Sequence, residues 1–461
     1  MPTPREPIPI QSTRQLFVDD LLIDQLDNLH LKQHEPTRRN TVLTLDKPWE
    51  GNTSWCPIIL KTDDKYQMWY RAQGPQAKPG DYGHTFTAYA ESQDGIAWHR
   101  PDLGLFEFEG SKDNNVCIDN PNTKNVSVFI DARPGVPDTE RYKALGRWTS
   151  GSPSRIYGLV SPDGIHWQDA HDGPLIVASG EDPHFDSPLS AFWDAPNSRY
   201  VLYIRGWYPD GQEPRIRAIR MTTSEDFIHW EPWQYITIDG KTRYPHHLYT
   251  NAGHPYEHAP LYIMLPKRFL PERTPEGWGH DGLSDILFLA SRDGLNYTQP
   301  CPEAYLRPGL DPNNWHERSI FIGPQVLTTG PGELSFYSVQ NYRTDHNHIR
   351  RYTLRQDGFT SVHATSTSGT FITQPFTFEG NRFQINFSTS AAGSIRVALL
   401  DASGTSMPGF SITPPTYGDR IDHTVHWNGN PDVGSLSGLP IRLQCELQEA
   451  DLYSFRFSTE P

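Results

Sequence analysis

Acidic and basic residues recur at matching places along this chain. Glu50, Asp186, Glu257 and Glu317 stand at or near the start of short runs rich in aromatic and β-branched residues. Arg71, Arg147, Arg205 and the pair Lys267-Arg268 close the runs that follow, and His84 and Asp285 open third runs. If these positions converge, they form a ring of carboxylates interleaved with arginines and aromatic rings. Two carboxyl groups across a sugar-sized gap are what glycosidic bond cleavage needs. One protonates the leaving oxygen, and the other acts as nucleophile or activates water. A nearby cation lowers the pKa of one acid and apolar burial raises that of the other. Asp186 leads the catalytic candidates because it opens its run cleanly and is followed by the small Ser187, and Glu317 and Glu50 follow it. Trp55, Arg71, Arg205, Trp207, Glu257, Lys267 and Asp285 form the expected substrate-binding set. The rings suit stacking on sugar faces, and the charged groups suit hydroxyls or an acidic substituent. Structural ion pairing is the alternative reading of each acid, because such linings are polar in any case.

The elements that would position these residues are marked by a repeated turn. Ser92-Gln93-Asp94-Gly95-Ile96-Ala97-Trp98 returns as Ser161-Pro162-Asp163-Gly164-Ile165-His166-Trp167 and Ser224-Glu225-Asp226-Phe227-Ile228-His229-Trp230. It returns again as Ser291-Arg292-Asp293-Gly294-Leu295-Asn296-Tyr297, with a worn fifth copy at Asp357-Gly358. The aspartates lie 69, 63, 67 and 64 residues apart. A fixed period means a repeated supersecondary unit. Asp-Gly suits a hairpin whose two central residues both take positive φ, and the carboxylate can hold its own backbone two residues on. The signature is therefore a turn and packing device, and its Trp is placed to pack between units. Three short strands precede each copy and an outer strand starts at the Trp. Four-stranded units repeated radially make a β-propeller, so five repeats predict five blades. The run Leu29-His30-Leu31-Lys32-Gln33-His34 is expected to supply the strand that closes the ring.

Beyond residue 362 the repeat stops and period-2 alternation takes over, as in Phe383-x-Ile385-x-Phe387 and Ile441-x-Leu443-x-Cys445-x-Leu447. Such strands between Gly, Ser and Pro turns predict a small antiparallel sandwich. The expected fold is all-β: a five-bladed β-propeller over residues 14–362, carrying the chemistry, followed by a C-terminal antiparallel β-sandwich over 363–461 that braces it.

Composition excludes several classes. Net charge is −15 and no Lys/Arg run occurs, so nucleic acid and anionic membrane surfaces are not expected partners. No apolar stretch approaches a membrane span. The residues Met1-Pro2-Thr3-Pro4-Arg5-Glu6-Pro7 do not read as a signal peptide, and a cytoplasmic location is expected. Cys56, Cys117, Cys301 and Cys445 are scattered without zinc spacing and read as reduced, buried thiols. The histidines between His246 and His348 show no metal-ligand spacing either, so no metal and no cofactor are expected.

With these residues in view, the chain resembles the five-bladed propeller glycosidases, the group that holds glycoside hydrolase families 32, 43, 62, 68 and 130. The likeness covers about residues 14–362. It rests on the five-fold repeat, on Pro48-Trp49-Glu50 before the Met68-Trp69-Tyr70 strand, and on the Ser-x-Asp-Gly-x-x-Trp turns. Leu16-Phe17-Val18-Asp19-Asp20, Phe185-Asp186-Ser187, Arg307-Pro308-Gly309 and Leu452-Tyr453-Ser454-Phe455-Arg456-Phe457 resemble an uncharacterised branch of that group in both domains. The resemblance implies a glycosidase acting at the end of an oligosaccharide. The Asn-Asp-Pro and Glu-Cys motifs of family 32 are absent, and blade two offers no acid where family 43 has one. Residue roles are therefore not carried over, and retention or inversion stays open. Three further readings stand beside it. One is a carbohydrate-binding propeller without catalysis. Another is a polysaccharide lyase with a base such as Tyr249 near Arg205. The third is a sialidase-like enzyme, for which Arg71, Arg205 and Arg318 would suit an acidic sugar.

Overall fold

In the computed structural model, which describes residues 6–74, 84–148, 153–179, 185–209, 211–316 and 318–459, each signature turn ties itself with its own side chains. The Asp94 carboxylate accepts the N–H groups of Ile96 and Ala97, both at 2.8 Å, and Ser92 Oγ accepts the Gly95 N–H at 2.9 Å. The Trp98 indole N–H closes the turn on the Gly95 carbonyl at 3.1 Å. The same aspartate bonds recur at Asp163, Asp226 and Asp293. Burial pushes the Asp163 carboxyl up, but the N–H groups and imidazole of His166 and the N–H of Ile165 outweigh it and bring it down to about 2. Only the residue after the aspartate is left-handed in these four turns: Gly95 (φ 71°), Gly164 (79°), Phe227 (74°) and Gly294 (79°). Positive φ at both central positions, expected from the sequence, is thus corrected. The carboxylate holds the two N–H groups beyond it, and that geometry needs one left-handed residue.

Each turn is also met by a side chain from the repeat before it. Trp69 donates its indole N–H to the Gly164 carbonyl at 2.7 Å. The Lys143 ammonium lies 5.3 Å from the centre of the Phe227 ring. The Tyr203 hydroxyl bonds the Gly294 carbonyl at 2.5 Å, and the Tyr256 hydroxyl bonds the Asp357 carboxylate at 2.8 Å. Tyr337, from the last repeat, returns to the first by donating to the Gly95 carbonyl at 2.7 Å. The order of contacts is therefore cyclic.

The strands between the turns form successive antiparallel sheets. The first holds Trp55–Lys61, Tyr66–Gln73, Thr85–Ser92 and Val116–Ile118. The second holds Lys124–Ile130, Tyr142–Trp148, Arg155–Ser161 and Gln168–Asp169. The third holds Asp186–Asp194, Arg199–Trp207, Arg217–Ser224 and Gln234–Tyr235. In the fourth repeat each long strand is broken: His247–Thr250 from Gly253–Pro255, Tyr262–Met264 from Lys267–Leu270, and Leu283–Ile286 from Leu289–Ser291. Pro266 has no N–H to give to a ladder, and left-handed Ala252 (φ 50°) bends the partner strand. Bonds from Leu265 N to Ala252 O and from Leu287 N to Pro266 O carry the sheet across the break. The fifth holds Phe321–Ile322, Glu333–Gln340 and His348–Arg355.

Apolar faces of neighbouring sheets pack in the same cyclic order. Trp69 and Tyr89 meet Val128 and Leu159, and Leu145 meets Leu189 and Leu202. Ile219 meets Leu248 and Leu289, Ile263 and Phe288 meet Phe336, and Val339 and Ile349 meet Met68 and Tyr70 of the first sheet.

The strand that completes the fifth sheet is Thr37–Thr44, paired antiparallel with His348–Arg355. This corrects the expectation for Leu29–His34. Thr37–Thr44 is a mostly exposed edge, Thr-Arg-Arg-Asn-Thr-Val-Leu-Thr, with no apolar alternation to announce it. His30–Gln33 instead pairs with Thr360–Ala364 in a ten-stranded sheet dominated by Arg382–Asp401 and Ile441–Ser458. Ile8–Gln11, Gln15–Leu16 and Ile23–Asp27 join the same sheet. Residues 14–33, placed with the repeats by sequence, thus pair with C-terminal strands. Phe17, Leu22 and Leu29 drive this by entering the core of Phe371, Phe383, Phe455 and Phe457. Buried Asp357 joins the two parts: it pairs with Arg14 at 3.3 Å and accepts from Tyr256, Asn386 and Ser454. No helix among the described residues is long and apolar enough to cross a membrane.

Candidate active site

The first strand of four successive repeats carries a bulge near its start. Register shifts fall between Trp55 and Ile58, Lys124 and Ser127, Asp186 and Ser190, and Leu248 and Thr250. Cys56 (φ 58°) and Asn125 (φ 53°) are left-handed there. An extra residue in one strand bends it and re-aims its side chains. Across the ladder from these bulges stand four cations in register: Arg71 opposite Trp55, Arg147 opposite Lys124, Arg205 opposite Asp186, and Lys267 opposite Thr250.

Here lies a cavity of about 310 Å³. Trp55, Arg71 and Thr85 come from the first sheet, Lys124, Asn125 and Arg147 from the second, and Asp186 and Arg205 from the third. Tyr249 comes from the fourth repeat and Arg318, Phe321 and Tyr342 from the fifth. The Asp186 carboxylate is ion-paired with the Arg205 guanidinium and with Arg147 Nη2 at 3.2 Å. Its side chain is 58% exposed, whereas those of Arg147 and Arg205 are 9% and 6% exposed, so the carboxylate faces the cavity from a buried cationic seat. Arg147 is fixed further by a bond to the Phe185 carbonyl at 3.1 Å. Arg205 lies over the Tyr249 ring at 4.7 Å, an electrostatically favourable stack. Arg71 bonds the side chains of Gln73 and Asn125 and lies 5.7 Å from the Trp55 ring centre.

Positive charge is crowded here. Burial, then the nearness of Arg71 and Arg205, holds the Arg147 guanidinium below the usual arginine range, with Asp186 opposing the shift. Burial, then Arg71 and Arg147, lowers Lys124. Burial, then Arg205, lowers Arg217. Burial raises the Tyr342 phenol.

Of the residues singled out in the sequence, the structure brings Asp186, Trp55, Arg71 and Arg205 together in this cavity. Lys267 sits behind its wall, fully buried, with its ammonium 3.1 Å from the centre of the Phe321 ring. Four others lie elsewhere. Glu50 is enclosed in the first repeat, where it accepts from Arg100 at 2.9 and 3.0 Å, from the Lys47 N–H at 3.1 Å and from the Tyr70 hydroxyl. That saturated carboxylate corrects the expectation of Glu50 as a catalytic group. Glu257 lies past the far end of its strand and bonds Thr328 and His258. Asp285 makes a two-bond pair with Arg268 across adjacent strands, 2.8 and 2.5 Å. Arg215 and Arg217 lie 5.0 and 4.6 Å from the centre of the Trp207 ring, which lines a neighbouring cavity with Tyr208 and Tyr235. Glu317 lies outside the described residues.

The expected substrate-binding set omitted Thr85, Lys124, Asn125, Arg147, Phe321 and Tyr342, all of which line the cavity, and Tyr249 and Arg318, which also line it, entered only through the lyase and sialidase-like readings. Arg147 carried a signal, since it closes its run as Arg71 and Arg205 close theirs. Lys124 and Tyr342 carried none, because the bulge and the strand exit that aim them leave no mark in composition. Among the described residues no cluster of three or more His, Cys, Asp or Glu could hold a metal ion.

No family model matches the chain. Two curated proteins of Mycobacterium tuberculosis, both named only as uncharacterized and from strains CDC 1551 / Oshkosh and ATCC 25618 / H37Rv, are 24% identical over 170 residues. The match covers 36% of this chain and 51% of theirs, so the chain spans about half the length of the curated relatives it matches. Among solved structures it is similar to one described as a glycoside hydrolase, with TM-score 0.48, 14% identity, and 69% of this chain and 92% of that one covered. It is similar to the Bombyx mori GH32 beta-fructofuranosidase BmSUC1, with TM-score 0.48, 11% identity and coverage of 92% and 95%. It is also similar to a GH130 structure of the mannoside phosphorylase family, with TM-score 0.42, 16% identity and coverage of 70% and 94%.

Proposed function

We propose that this chain is a glycoside hydrolase built on a five-bladed β-propeller with a β-sandwich, and that it releases a sugar from the end of a glycan. The cyclic packing of five successive sheets supports the propeller, and the ten-stranded sheet, four of whose strands come from residues 8–33, supports the sandwich. The observation that carries the functional reading is the Asp186 carboxylate, exposed into a cavity lined from all five repeats and held by two buried arginines. A volume of about 310 Å³ is at the lower end of the roughly 300–1,000 Å³ usual for small-molecule sites. It suits one terminal sugar rather than a chain passing through. Guanidinium partners favour the ionised form of a carboxyl group, which suits Asp186 to the base or nucleophile of the pair. Glu317, next in sequence to cavity-lining Arg318, is the proposed proton donor.

The test is product release from aryl glycosides and plant and algal oligosaccharides, with products resolved by mass. A released sugar carrying one added water is expected. Asp186→Asn and Glu317→Gln should each slow its release by about 10²-fold or more. Undiminished release by Asp186→Asn would remove Asp186 from the chemistry.

A second reading has its own observation. Tyr249 faces three cations, Arg205, Arg217 and Lys267, at 4.7, 5.3 and 5.9 Å from its ring centre. A phenol so placed suits proton abstraction beside a sugar carboxylate, as in a lyase. An unsaturated product absorbing in the ultraviolet would establish that reaction in place of hydrolysis.

A further inference from the structure

The charge balance of the cavity is lopsided. Its described lining holds Arg71, Lys124, Arg147, Arg205 and Arg318 against one carboxylate, Asp186. Lys267 stands directly behind. This occurs in a chain of net charge −15, so the positive charge is a local construction rather than an overall bias. A concave site lined by one sign of charge concentrates ions of the opposite sign. Asp186 is already engaged by Arg147 and Arg205, and Arg71 and Lys124 stand on the rest of the wall.

The hydrogen-bonding atoms point the same way. Arg71 Nε, Arg147 Nε, Asn125 Nδ2 and Trp55 Nε1 are buried without a hydrogen-bond partner among the described residues, and all four belong to residues lining this cavity. Every one is a donor. Buried donors are normally satisfied, and a cluster of exceptions calls for an explanation. Burial, and after it the nearness of other cations, lowers Arg147 and Lys124, and an anion relieves that crowding where a neutral hydroxyl does not. Planar guanidinium forks match a carboxylate or sulfate in two bonds at once.

We propose that the cavity takes a sugar bearing an anionic substituent, a carboxylate or a sulfate ester, seated among Arg71, Lys124 and Arg147 with Asp186 beside the reacting end. The inference rests on the reading of this cavity as a sugar site. The anionic group needs no chemistry of its own here. It supplies the counter-charge that the described wall lacks and orients the sugar so that its glycosidic carbon meets Asp186.

The test is binding, which does not require turnover. Calorimetry on the full chain would use galacturonic and glucuronic acids, galactose 6-sulfate, the neutral sugars galactose and glucose, and inorganic phosphate. At least one acidic sugar should bind saturably. Its affinity should fall about tenfold or more in Arg71→Gln. It should fall again when salt rises from about 0.1 M to 1 M, which shortens the screening length from about 10 to 3 Å. Lys124→Gln, at the cavity rim, provides the same comparison if Arg71→Gln does not fold. Preference among the acids separates carboxylate from sulfate. Neutral sugars binding as tightly as acidic ones, phosphate binding without any acidic sugar, or acidic-sugar binding unmoved by both variants would each overturn the proposal. Acidic-sugar binding without product release would leave it standing while sinking the hydrolase reading. Release of a neutral sugar, with no acidic sugar bound, would do the reverse.

Discussion

Replacing Gly164 with alanine separates two contributions to the ring of repeats. Gly164 is left-handed at φ 79°, and an added Cβ would lie 2.6 Å from Trp69 Cζ2. Trp69 is fully buried and bonds the Gly164 carbonyl at 2.7 Å. Gly110 is equally left-handed at φ 87°, but a Cβ there meets nothing within 4 Å. Gly110→Ala should therefore cost only the backbone term, about 1–2 kcal/mol. Gly164→Ala adds overpacking against a side chain that cannot move, about 1–3 kcal/mol, for a total of about 2–5 kcal/mol. Urea unfolding of the two variants beside wild type measures the difference as a shift in midpoint at unchanged slope. Trp69→Leu in the Gly164→Ala background should recover part of the loss, and a double-mutant cycle reads that coupling. Equal losses for the two glycines, or no coupling to Trp69, would refute the view that these turns are the joints between repeats.

Two further predictions test the assignment of charges. Glu50→Gln breaks a buried carboxylate–arginine pair and should cost about 3–5 kcal/mol while leaving turnover unchanged, because the Arg100 and Tyr70 network lies off the cavity. A folded Glu50→Gln protein without activity would return Glu50 to the catalytic pair. The turn aspartates make stability depend on acid. Asp94, Asp163, Asp226 and Asp293 all have folded-state values below the ordinary aspartate value, that of Asp163 near 2. A depressed folded value contributes stability that is complete above about pH 3.9 and lost as pH falls through the folded value. The urea midpoint should drop between about pH 4 and pH 2. The drop should be shallower in Asp163→Asn, and by less than about 1 kcal/mol because the side chain is partly exposed. A midpoint rising with acid over that window would contradict the sign.

Much of this architecture is legible in the sequence because it is written in repeats. The turn signature fixes its own backbone through Ser92 and Asp94, so the residues that announce it are the ones that build it. Its glycines answer to local φ and to a partner one repeat away, as Gly95 does to Tyr337, and both demands keep the pattern visible. Thr37–Thr44 was not legible for the opposite reason. An exposed edge strand needs no apolar alternation, and its place is set by the ladder it joins. Leu29 and Leu31 offered the stronger local pattern, but Leu29 packs into the phenylalanine core of the C-terminal sheet. Pattern alone does not say which of two apolar cores a short strand will serve.

The site divides along the same line. The cations could be read because ladder register ties each to its partner strand: Arg71, Arg147, Arg205 and Lys267 all stand opposite the bulged start of a first strand. Glu50 and Glu257 could not, because they lie in connections, where one turn decides whether the side chain meets the cavity or the interior. In Pro48-Trp49-Glu50-Gly51, bonds from Glu50 N to Lys47 O and from Ser54 N to Gly51 O curl the chain back, and Glu50 turns in toward Arg100. Asp186 has no such turn after it and stays on the ladder opposite Arg205. The sequence therefore overcounts carboxylates at the centre and undercounts cations, since Lys124 joins there as well. The structure thus revises the balance from a ring of alternating charges to a positive wall with one acid among the described residues. In such a wall an Asp186→Asn change removes a counter-charge from Arg147 and Arg205 as well as a reacting group. Loss of turnover in that variant must therefore be read beside its affinity for an acidic sugar. If turnover is lost while that affinity holds or tightens, Asp186 acts on the bond and the arginines act on the anion.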